Sequence, residues 1–158
     1  MRKALSILGL MAGFVVAAQP AIAASWGPES TYYKNIKRAT GEGSFSNEGN
    51  VRALNKITIT DEDNDGNSVY GVTRFFFRYT KCEQNYNPYA PGRDCTDDFR
   101  RTSEKNTPEF KGGKKTFEHR TNLAPTGARA RAETFACVQM GWPVPDGCAA
   151  PAYPSFDY

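Results

Sequence analysis

The run from Ser68 to Thr80 constrains the fold more than any other stretch of the chain. It places Val69, Gly71, Thr73, Phe75, Phe77 and Tyr79 on one face and Tyr70, Val72, Arg74, Phe76, Arg78 and Thr80 on the other. That is the period of two of a β-strand, whereas a helix would scatter the same aromatics around its axis. A strand this long, with large apolar residues along one face, belongs in the middle of a sheet, with Arg74 and Arg78 outward.

Three further runs follow the same logic. From Val51 to Thr60, the residues Val51, Ala53, Ile57 and Ile59 oppose Arg52, Lys56, Thr58 and Thr60, with Leu54 and Asn55 breaking the alternation. Lys114 to Thr121 forms a shorter strand around Phe117. From Arg129 to Met140, the face Ala130, Ala132, Thr134, Ala136, Val138 and Met140 opposes Arg129, Arg131, Glu133, Phe135, Cys137 and Gln139. Its alanines would suit a helix, but Thr134, Phe135, Val138 and the two-residue charge alternation favour a strand. With an early strand around Ser44-Phe45-Ser46 the count reaches about five, which predicts an all-β chain: a small antiparallel β-sandwich or barrel with little helix. Ala24–Gly43, Lys81–Gly113 and Gly141–Tyr158 read as irregular, and connections of that length are where function concentrates.

The chain opens with Arg2 and Lys3, an apolar stretch from Ala4 to Ala18, and the small residues Ala21-Ile22-Ala23, the three-part pattern of a secretory leader. A membrane span needs roughly 20 apolar residues, and this stretch is shorter and interrupted by Gln19 and Pro20. The expected organisation is therefore a signal peptide over 1–23, an extended N-terminal arm over 24–43 and a β-sandwich domain over 44–158, released outside the cell and free of the membrane. Loss of Arg2 and Lys3 from the 20 basic residues leaves 18 against 17 acidic ones, a net charge of +1 in place of +3. That balance argues against a nucleic-acid partner, which calls for a strong basic excess.

Cys82, Cys95, Cys137 and Cys148 form an even set in an exported chain, which favours two disulfides over a metal site. Zinc would want close cysteine pairs or several histidines, and His119 is the only histidine. Of the three connectivities, Cys82 with Cys95 and Cys137 with Cys148 is favoured, because each closes a loop of Pro, Gly and Asn with little core to hold it.

Asp61-Glu62-Asp63-Asn64-Asp65-Gly66 matches the start of a calcium loop, but the twelfth position, where a helical calcium loop keeps a bidentate Glu, is Val72. The pattern reads as a hairpin tip kept soluble by acids. A β-turn with these carboxylates can still take calcium. Catalysis has little to work with: Glu118 and Arg120 share a strand face that His119 does not, and no nucleophile–base pair is apparent. Neither a cofactor nor a metal is expected, and the chain reads as non-enzymatic. The aromatics Tyr86, Tyr89 and Trp142 lie inside the two stapled loops, where they can anchor an interface or fold back over the sandwich ends.

Asp65-Gly66-Asn67-Ser68-Val69-Tyr70 before the aromatic strand, and Phe135-Ala136-Cys137 leading through Trp142 to Cys148, make the chain resemble small secreted two-disulfide β-sandwich proteins of actinobacteria. Among them it is similar to the adaptor subunits of umbrella toxin particles. That resemblance implies an adaptor joining a lectin-like subunit to a larger toxin subunit, with a partner-binding extension over roughly Ala24 to Arg38. Trp26, Tyr32, Tyr33, Lys34, Lys37 and Arg38 are then the candidate partner-binding residues. The alternatives are a protease inhibitor using the disulfide-held loop after Cys137, which includes Met140, and a small secreted hydrolase.

Overall fold

The computed structural model describes residues 23–63, 65–85, 92–141 and 143–158. Among them it contains nine strands and no helix: β1 (Ala24–Tyr33), β2 (Ile36–Glu48), β3 (Arg52–Asp61), β4 (Ser68–Asn85), β5 (Gly92–Asn106), β6 (Gly113–Asn122), β7 (Arg129–Gln139), β8 (Gly147–Cys148) and β9 (Ser155–Asp157). The expected leader lies outside the described residues apart from Ala23.

Two antiparallel sheets face each other. One has the order β1-β2-β3-β6, the other β5-β4-β7-β8, with β9 also on β7. The long aromatic run is β4, central as its pattern demands, with β7 on one side and β5 on the other. The chain from Gly147 to Asp157 runs along the far side of β7 as an interrupted edge, through β8, a bridge from Ala152 to Thr134, and β9.

The arm expected over 24–43 needs correcting. Ala24 to Tyr33 is an edge strand of the first sheet, and Ile36 to Glu48 is one long strand whose last residues are the predicted Ser44–Ser46 segment. Thr31 is buried and its hydroxyl donates to the Ala136 carbonyl at 3.0 Å, so this segment spans the sandwich and is part of the domain. The alternation is hidden because the inward positions of β2 include Ala39, Gly41 and Gly43, too small to show as apolar. Gly43 has no alternative, since a Cβ there would come within 1.9 Å of the Lys56 carbonyl oxygen. The Lys81–Gly113 region likewise holds a full strand, β5, and the C-terminal tail holds β8 and β9.

The core is divided by a polar layer one residue thick. Toward the end carrying the β1–β2 turn lie Trp26, Ala39, Ile57, Ile59, Val69, Phe110, Ala136 and Val138. Toward the other end lie Phe45, Ala53, Phe75, Phe77, Ala130, Ala132 and Phe156. Between them each of β3, β4, β6 and β7 contributes one inward polar residue: Asn55, Thr73, His119 and Thr134, all buried. Asn55 accepts from the Trp26 indole at 3.1 Å and donates to Thr73 at 2.7 Å and Thr134 at 3.1 Å. Thr134 donates on to the Val72 carbonyl at 3.1 Å, and the His119 Nδ1 and Thr73 hydroxyl share a hydrogen bond of 2.9 Å. A buried amide left unpaired would cost about 1–3 kcal/mol, so this layer favours the one strand register that satisfies it. Asn55, which looks like a break in the β3 alternation, is in phase with Ala53, Ile57 and Ile59.

Candidate binding surfaces

The two ends of the sandwich are built differently. The first end gathers the β1–β2 turn, the β3–β4 loop and the β7–β8 loop. Lys34 and Asn35 make the tight turn, with φ of 49° and 65°, the twist that a two-residue hairpin requires. Of the six predicted partner-binding residues, Trp26 is buried and committed to Asn55. The Tyr33 ring lies under the Lys34 ammonium at 5.3 Å and the Arg38 guanidinium at 5.9 Å. Lys37 pairs with Glu62 at 2.9 Å. Arg38 is partly buried against Asp63, at 2.5 Å, and Asp65. Only the hairpin tip itself offers surface, with Tyr32 63% and Ile36 48% exposed.

Arg38 thus occupies the position that a cation would take in the calcium-like loop. Its guanidinium bridges Asp63 and Asp65, and its backbone carbonyl accepts from the Glu62 amide at 2.9 Å. Burial works to raise the Asp65 carboxyl, but hydrogen bonds from Asn67 and the Arg38 charge hold it below its ordinary range. The Glu62 carboxyl is likewise lowered by the Thr40 hydroxyl and Lys37.

The neighbouring loop is tied down as well. Cys137 and Cys148 are bonded, and Cys137 is fully buried with Val72, Phe135 and Ala149 under the returning C-terminal chain. Tyr70 donates to Asp146 at 2.7 Å, and burial with that carboxylate pushes its pKa up to about 12. Met140 packs on the first core cluster, so the loop does not offer it to a protease cleft. Trp142 lies outside the described residues.

At the opposite end the architecture changes. β4 pairs with β7 only from Ser68 to Arg78, whereas its pairing with β5 continues to Asn85 opposite Gly92. From Tyr79 onward the two strands leave the sheet as a bare ribbon on the order of 20 Å long, from the rise of a strand. Cys82 and Cys95 stand directly opposite each other on it and are bonded. Thr80 to Gln84 and Cys95 to Asp98 are exposed, so these residues rest on no core. An isolated two-stranded hairpin is marginal in water, and here the disulfide replaces the missing sheet. Tyr86 and Tyr89, the aromatics expected to anchor an interface, lie outside the described residues.

Near the foot of the ribbon is an open groove of about 430 Å³, of mixed polar and apolar lining, formed by Asn50, Val51, Leu123, Ala124, Pro125, Gly127 and Tyr158. Val51 is 60% exposed there. Tyr158 forms one wall: its hydroxyl donates to the Ala124 carbonyl at 3.0 Å, and burial raises its pKa. Leu123, Ala124, Tyr158 and the ribbon residue Tyr79 pack on the same core cluster, which joins groove and ribbon base into one surface. Sequence reasoning missed this surface, although a local disulfide closing two polar segments is compatible with a stapled hairpin.

His119 is buried in the polar layer, its pKa lowered by burial and by Lys105, while Glu118 and Arg120 pair with each other outside at 2.6 Å. Among the described residues no cluster of His, Cys, Asp and Glu could hold a metal ion, and no helix is long and apolar enough to cross a membrane. Two disulfides mark an oxidising, extracellular environment. No protein-family model and no curated protein matches the chain.

Proposed function

We propose that this chain is a secreted, non-catalytic protein-binding module, and that it acts as an adaptor between subunits of an extracellular toxin particle. The observation that carries the reading is the β4–β5 ribbon, held outside the sandwich by Cys82–Cys95 with an open groove near its base. A stapled ribbon adds nothing to the core, yet it presents contact area whose ordering entropy is already spent, which is what a binding element requires. The groove near its foot adds exposed Val51 and the side chains of Leu123 and Tyr158 as apolar contact area, and the charged residues of the ribbon add polar contacts.

An adaptor must engage two partners at once. Three of the exposed apolar side chains support that role because they sit at opposite ends: Val51 near the ribbon base, and Tyr32 with Ile36 beside the hairpin turn. The segment first expected to reach a partner as a free arm would thus do so through this tip alone. The test is capture from the culture supernatant of the producing cell, with identification by mass spectrometry. Val51→Arg should abolish capture of one secreted protein and Tyr32→Glu with Ile36→Glu that of another, each leaving the other intact. Identical capture by all variants would overturn the proposal.

A further inference from the structure

The outer face of the second sheet carries an arginine set apart from all its neighbours. Arg131 on β7 lies opposite Phe76 on β4. Its guanidinium carbon is 4.3 Å from the centre of the Phe99 ring, 5.2 Å from Phe76 and 5.6 Å from Tyr153. Three rings from β5, β4 and the C-terminal segment thus enclose one cation. Around it the other arginines of this face have carboxylate partners: Arg74 with Glu104 and Glu133, Arg78 with Asp97, Arg101 with Glu104, and Arg129 with Asp157. Among the described residues Arg131 has none, and its Nε is buried without a hydrogen-bond partner.

The cage has an open side. Arg131 itself is only half-buried, and Tyr153, one of its walls, is 55% exposed. Rings packed against a guanidinium take up none of its N–H donors; with Nε enclosed, the two terminal nitrogens are the pair that can meet a carboxylate with parallel N–H donors. The rings exclude water from the flanks, so a carboxylate arriving at the edge meets a charge that is already partly desolvated and already oriented. We infer that the Arg131 cage is a binding site for a carboxylate presented by a partner protein, either an Asp or Glu side chain or a chain terminus. It stands apart from the ribbon and groove and does not depend on their role.

The test follows the Arg131 side-chain Nε–Hε resonance by NMR during titration with three short blocked peptides. One carries a single Glu and an amidated end, one a free C-terminal carboxylate and no acidic side chain, and one Gln in place of Glu. At least one carboxylate peptide should shift the resonance saturably, with a dissociation constant on the order of 1 mM, and whichever binds more tightly identifies the source. The Gln peptide should leave it unmoved. Tyr153→Ala, at an exposed position, should weaken binding several-fold, and Arg131→Lys, which keeps the charge but loses the planar edge, by about tenfold, the latter followed through the backbone amide resonances of residue 131 and its neighbour Phe76 because the variant has no guanidinium proton. If neither carboxylate peptide shifts the resonance, if the Gln peptide shifts it equally, or if Arg131→Lys binds as well as the parent, the site does not exist.

Discussion

The two disulfides of this domain bridge directly opposed residues of antiparallel strands, and their sequence separations are 13 and 11 residues. By loop entropy alone each would contribute about 3 kcal/mol. Their surroundings separate them. Cys137 is completely buried with Val72, Phe135 and Ala149, and its bond fastens the returning C-terminal chain to β7. Cys82 and Cys95 are exposed on a ribbon that touches no core residue beyond its base. A cross-link stabilises a fold only if the native state keeps the joined segments ordered without it. A bare ribbon without its staple regains its freedom in the native state much as the unfolded chain does, so the two entropies cancel. One bond therefore holds the domain together, and the other holds a shape that the domain does not need for its own stability.

The comparison can be broken most easily from its strong side. Replacing Cys137 and Cys148 by Ser places one hydroxyl in the apolar cluster around buried Cys137, Cys148 being exposed, and releases the C-terminal chain, which should cost about 4 kcal/mol and lower the melting temperature by more than about 10 °C. Calorimetry of the double variant checks this, and a shift of a degree or two would mean that the buried staple is as dispensable as the exposed one.

The next effect is smaller and concerns the same end. Arg38→Ala removes the cation between Asp63 and Asp65, for a loss on the order of 2 kcal/mol. The vacated carboxylates should then respond to calcium, recovering part of the melting temperature at millimolar concentration, whereas the parent should not respond. A parent protein stabilised by calcium to the same degree would show that Arg38 does not fill the loop.

His119, midway between the ends, sharpens the picture through pH. Burial and Lys105 hold its pKa below the ordinary histidine range, so the folded state resists a proton that the unfolded chain accepts. Its contribution is therefore fully present above about pH 6.5 and is lost as pH falls toward the folded pKa. Glu62, Asp65 and Glu104, also lowered, add their own loss only below the ordinary carboxylate range. Between about pH 6.5 and 5 the decline should belong to His119 and should disappear in His119→Gln, as judged by urea unfolding at each pH. A decline that persists in that variant would assign it elsewhere.

Much of the fold could be read from the chain, and the unread parts share a physical cause. β4 and β7 are legible because Phe75, Phe77, Ala132 and Val138 fall inward at every second position. β1 and β2 are not, because Thr31, Ala39, Gly41 and Gly43 fill their inward positions and alternation of small or polar residues leaves no apolar signal. β5 has no signal where it forms the ribbon, since a strand with no buried face has no reason to alternate. The local disulfide pairing was legible from the composition of the loops. The ribbon was not, because what makes it a candidate site is exposure, and exposure is set by where β7 stops at Arg129.

The account rests on the ribbon being held for binding and not for folding, and the Cys82→Ser/Cys95→Ser variant measures both at once. Its melting temperature should fall by no more than a few degrees, under about 1 kcal/mol, while capture of the partner lost in Val51→Arg is lost here too. A melting temperature lowered as far as that of the Cys137→Ser/Cys148→Ser variant, or capture that survives reduction of the ribbon, would contradict it.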